Sequence, residues 1–102
     1  MTEQKNYAKA KAENDVDATL RERGARYGSF EGHATIAQQI KAVMRQTLRW
    51  DDLSPSQCEA LEMTAHKIAR ILNGDPNYAD SWHDIAGYAE LVAKQLREGR
   101  RQ

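Results

Sequence analysis

The chain has 102 residues, 40% of them hydrophobic and 29% charged, and its 15 Lys and Arg residues equal its 15 Asp and Glu residues. That length and composition fit a single folded domain and exclude a disordered polymer. Zero formal net charge leaves no global field to draw the chain onto extended nucleic acid or an anionic membrane, so any anion binding has to be local.

Cys58 is the single cysteine, which excludes an intrachain disulfide framework and fits a reducing compartment. It sits among helix formers with no adjacent histidine and is not read as a catalytic thiol. No apolar run reaches the length of a signal peptide or a membrane span, which predicts a cytoplasmic protein.

Residues 1–14 carry few large apolar groups and read as a flexible or helix-extending segment ahead of a single helical domain over 15–102. From Asp15, Val16 and Leu20 stand four apart, and Gly24 and Gly28 follow, which predicts a short helix ending in a basic turn, "ERGARYG". In "FEGHATIAQQIKAVMRQTL", Ile36, Ile40, Val43, Met44 and Leu48 repeat at helical spacing, with Gln38, Gln39, Lys41 and Arg45 on the wet side. "RWDDLSPSQ" breaks the pattern.

Ser54, Pro55 and Gln57 form a capping-box start for a third helix, because the serine hydroxyl satisfies an orphan amide and proline tolerates the first helical position. Leu61, Thr64, Ile68, Ile71 and Leu72 supply its apolar stripe. "NGDP" ends it, with Gly74 expected as a left-handed cap. After Pro76, the repeat Trp82, Ile85, Ala89, Val92, Leu96 predicts a fourth helix running to about Gly99, followed by the basic tail Arg97, Arg100 and Arg101. No stretch alternates with period two, so the expected fold is all-α: a compact bundle of about four helices, oligomeric through apolar faces such as Ile36, Ile40, Val92 and Leu96.

The third helix carries Glu59, Glu62, His66 and Arg70 three or four residues apart, on one face. The fourth carries Asp80, Asp84 and Tyr88 at the same spacing, with Gly87 leaving room for a close approach. An antiparallel arrangement through "NGDPNYAD" sets Lys67 and Arg70 opposite Asp80 and Asp84. The plainer account is an Arg70–Asp84 ion pair, Trp82 and Tyr88 as boundary aromatics, and solvated glutamates. The sharper one is a polar pocket, because each buried charge needs a partner. In that pocket Arg23, Arg26, His66, Lys67 and Arg70 contact phosphates, and Tyr27, Tyr78, Trp82 or Tyr88 stacks on a base, with Asp80, His83 and Asp84 alongside. His33 and His83 have no zinc-ligand spacing.

The stretch "EALEMTAHKIARILNGDPNYADSWHDIAGYAELV", together with "RGARYGSFEGHA", resembles a family of small phage and prophage proteins without an assigned activity, over roughly Leu20 to Leu96. More distantly, an ExxE helix followed by a "DIAGYA" run resembles the MazG-like all-α nucleotide pyrophosphohydrolases. The first resemblance implies a phage protein, in the cytoplasm of an infected or lysogenic host, that sequesters a nucleotide immune signal such as a cyclic dinucleotide or an ADP-ribose derivative and requires no cofactor. The second implies Mg²⁺ held by Glu59, Glu62, Asp80 and Asp84. Ser81 stands where that family's second acidic pair has an acid three residues before Asp84. A helical adaptor that binds another protein through the same face is the third reading.

Overall fold

The computed structural model describes the backbone of residues 2–99 and the side chains of residues 15–99. It contains four α-helices, α1 (Thr2–Tyr27), α2 (Phe30–Arg45), α3 (Pro55–Asn73) and α4 (Ala79–Arg97), with one turn of 3-10 helix at Trp50–Asp52 and no strand among the described residues. No helix of the described residues is long and apolar enough to cross a membrane. Arg100 and Arg101 lie outside the described residues, as do the side chains of residues 1–14.

Helix α3 starts where its sequence says it does. The Ser54 hydroxyl accepts from the Gln57 amide at 3.2 Å, and the Gln57 side chain accepts from the Ser54 amide at 2.9 Å, so two orphan donors are satisfied reciprocally. Ser29 caps α2 in the same sense by accepting from the Gly32 amide at 3.1 Å.

α3 is the middle of the fold. It packs along α2 on one side and α4 on the other, while α1 meets α2 and α3. The buried apolar residues are small: Ala37, Ala65 and Ala69, with Ile71 the largest. Small side chains let helices approach closely, but a layer built this way has little depth, and no large side chain among the described residues is fully buried. The expected stripe on α3 is therefore only partly internal. Ile71 is buried, whereas Leu61 and Leu72 are exposed, because helices cover the two flanks of α3 and leave these two positions outside.

Two glycine expectations also change. Gly24 lies inside α1, which runs on to Tyr27. The left-handed residue between α1 and α2 is Gly28, at φ 76°, and a Cβ there would run into the Asn73 carbonyl. Gly74, at φ −137°, is not a left-handed cap. It is a glycine because the end of α1 lies against it: a Cβ would meet the Arg26 carbonyl and the Tyr27 backbone. Between these glycines the Asn73 side-chain Nδ2 donates to the Tyr27 and Ser29 carbonyls, both at 2.8 Å, and the Asp75 backbone amide donates to the Arg26 carbonyl at 2.6 Å. The turn from α1 to α2 is thus pinned to the end of α3.

Candidate functional site

That pinned junction borders a cleft of about 520 Å³ lined by α1 (Leu20, Arg23, Gly24, Tyr27), the Gly28–Ser29 turn, the start of α2 (Phe30, His33) and α3 (His66, Arg70). Arg23 and Arg70 bring two fixed positive charges, and no acidic residue is among the lining groups. The Arg70 guanidinium lies 4.2 Å from the centre of the Tyr27 ring, which holds its planar fork in one orientation. Behind it Arg26 stacks on Tyr78 at 4.4 Å, and Tyr27 and Tyr78 meet edge to face at 6.1 Å. The cleft also takes in the N-terminus of α2, where the helix dipole favours negative charge.

Two histidines close one wall. His33 Nε2 and His66 Nδ1 are 3.3 Å apart, with the rings nearly perpendicular at 79°, and His33 is only 7% exposed. Burial, then the charge of Arg70, lowers the pKa of both; His66 falls to about 4, with His33, Lys67 and Lys41 adding smaller effects. The pair is neutral at physiological pH. His33 Nδ1 is buried and has no hydrogen-bond partner among the described residues.

Helical spacing placed Glu62, His66 and Arg70 on one face of α3, and that face turns toward α2 and the α1–α2 turn rather than toward α4. Glu62 pairs with Arg45 of α2, His66 meets His33, and Arg70 covers Tyr27. Lys67, one position round the helix, is the residue that faces α4: its Nζ lies 2.8 Å from Asp84 Oδ2, and the ammonium holds the Asp84 carboxyl below the usual range. The expected Arg70–Asp84 pair is thus a Lys67–Asp84 pair.

Apart from Lys67, the expected binding residues divide among four places. Arg23, Tyr27, His66 and Arg70 line the cleft. Arg26, Tyr78 and Asp80 are outside its lining, in a contact chain behind Tyr27, with the Tyr78 hydroxyl donating to Asp80 at 2.9 Å and the phenol held above its ordinary pKa by that carboxylate. His83, Asp84, Gly87 and Tyr88 line a separate hollow of about 470 Å³ made entirely by α4. Trp82 is an exposed residue whose indole nitrogen donates to the Pro76 carbonyl at 2.8 Å.

Glu59, Glu62, Asp80 and Asp84 are not gathered. In the antiparallel pair, Lys67 opposite Asp84 puts Glu62 level with Ala89 and Glu59 level with Val92, toward the far end of α4 from Asp80. Among the described residues no group of three or more His, Cys, Asp or Glu side chains is placed to hold a metal ion. Glu62, Asp80 and Asp84 are each engaged with a partner already named.

His33 is the lining residue that a search for metal spacing passes over. Its signal is its register: it lies three and seven residues before Ile36 and Ile40, so a histidine stands on the inward face of a helix. Asn73 and Gly28 likewise gain their meaning only from each other.

Residues 10–96 match the family model described as a domain of unknown function, DUF6378, and the chain belongs to that family. No curated protein and no solved structure matches it.

Proposed function

We propose that the protein binds a phosphate-bearing, nucleotide-derived small molecule in the cleft between the α1–α2 turn and α3 and holds it without turnover. The observation that carries this reading is the lining itself: Arg23 and Arg70 with aromatic Tyr27 and Phe30, the start of α2, and no acid. An anion there meets a bidentate donor already oriented by stacking, and a base has ring faces to lie on. The use we assign, following the resemblance to small phage proteins, is sequestration of a host nucleotide immune signal in the cytoplasm of an infected or lysogenic bacterium. Self-association belongs to the same proposal: of the expected apolar set, Ile36, Ile40 and Val92 are half-buried and Leu96 is exposed, joined by exposed Phe30, Leu72 and Leu91 on a thin layer.

Calorimetry with the full chain against cyclic dinucleotides, ADP-ribose derivatives and nucleoside triphosphates tests this. At least one should bind at micromolar levels, and Arg70→Ala should cost about 2–5 kcal/mol of that binding, since a desolvated charge contact is lost. Tyr88→Phe, in the separate α4 hollow, should leave it unchanged. Mg²⁺-dependent release of pyrophosphate that Glu62→Gln abolishes would put the hydrolase reading first. Binding of none of the panel would pass the proposal to the protein-adaptor reading.

A further inference from the structure

We infer that this cleft selects a ligand ending in a phosphate monoester over a phosphodiester, and that the His33–His66 pair gains proton occupancy as that ligand enters. The inference rests on the nucleotide-binding reading and narrows it.

Charge matching is the first argument. Arg23 and Arg70 are two fixed cations facing one cleft with no acid among its lining residues. A monoester above its second pKa, about 6, carries two negative charges on one phosphorus and balances both guanidinium groups. A diester carries one, which leaves the second cation facing the first.

The histidines supply the second argument. The neutral pair has four ring nitrogens and two protons. One proton lies in the bond between His33 Nε2 and His66 Nδ1, and the other sits on an outer nitrogen, either His33 Nδ1 or His66 Nε2. Whichever tautomer is present, one outer nitrogen is bare. A proton from the solvent fills it, the inter-ring bond stays intact, and the pair carries one positive charge. Burial opposes this most in the free protein, followed by the cations Arg70 and Lys67 from α3 and Lys41 from α2, while Arg23 of α1 lines the same cleft. A dianion seated against Arg70 cancels the largest of those fields and offers His66 an acceptor, whereas a monoanion cancels half as much. His33, buried with an unpartnered Nδ1, makes the pair a built element of the cleft wall and not a solvated surface group.

The test compares adenosine 5′-monophosphate with its methyl ester, which share base, ribose and chain freedom and differ in one charge, at about pH 7.5 where the monoester is already a dianion. Titration calorimetry with the full chain should show the monophosphate binding roughly tenfold tighter or more. Repeating it in buffers of different ionisation heat should show fractional proton uptake for the monophosphate and less for the ester. His66→Asn keeps an amide group where Nδ1 meets His33 but cannot take the proton, so uptake should vanish and the preference should narrow. If that variant melts early, His33→Gln makes the same test from the other ring. Equal affinity for the two compounds, or tight monophosphate binding with no dependence on buffer heat, overturns this inference and leaves nucleotide binding standing. Failure of both compounds and of the wider nucleotide panel overturns the binding reading itself.

Discussion

Lys67 Nζ stands 2.8 Å from Asp84 Oδ2, joining an ammonium that is 11% exposed to a carboxylate that is 41% exposed. The asymmetry matters because the two partners lose different things when separated. Asp84→Ala leaves a buried ammonium with its carboxylate gone, while Lys67→Met replaces the buried member with an apolar chain of similar length and leaves the carboxylate where water reaches it. Asp84→Ala should therefore lower the urea midpoint more than Lys67→Met does, and the double variant should resemble Lys67→Met alone.

The glycines divide by what surrounds them. Gly24 has open space around it inside α1, so Gly24→Ala should stabilise the protein by about 0.5–1 kcal/mol. Gly87 in α4 is likewise open, and Gly87→Ala should do the same. Gly28→Ala meets the Asn73 carbonyl at a positive φ and should cost about 2 kcal/mol or more. Thermal melts of the three single variants check the order.

Stability should depend on pH through the histidines. His66 titrates at about 4 in the folded protein and near 6.5 when unfolded, and His33 is shifted in the same direction. As pH falls below about 6.5 the unfolded chain takes up protons first, so stability is full above that value and declines down to about pH 4. For a partly buried pair the loss should be on the order of 2 kcal/mol. The melting temperature of the ligand-free protein followed from neutral pH to about pH 4.5 should fall, and His66→Asn should flatten the curve.

Leu91 and Leu96 on α4 are more than half exposed, and Phe30 at the head of α2 is 83% exposed. Sedimentation velocity at micromolar concentration should show an assembly larger than one chain, which Leu96→Asp weakens. A monomer across that range would remove self-association from the proposal.

Much of the architecture is written locally in the chain. Ser54, Pro55 and Gln57 start α3 by contacts within one turn, and the repeat from Trp82 to Leu96 marks α4, so both are legible from spacing. What spacing cannot give is which neighbour each helical face meets. Glu62, His66 and Arg70 share a face in any helix, but only the packing of α2 on that side makes them partners of Arg45, His33 and Tyr27. The depth of the layer is hidden for a similar reason. Leu61 and Leu72 obey the apolar rhythm of α3, and nothing in the rhythm says that helices would cover only two of its flanks. Gly74 was readable as a helix end but not as the floor on which another helix rests.

The Asn73 contacts reach across 46 and 44 residues, whereas Lys67 and Asp84 are 17 apart in the chain. Closing a longer loop costs more entropy before its contacts form, so the α3–α4 hairpin should zip first and the α1–α2 turn should dock onto its end afterwards. On a ribosome the order of appearance is reversed. The residues that begin the cleft wall emerge early and must wait, unclosed, until the chain as far as Asn73, Gly74 and Asp75 has followed them out.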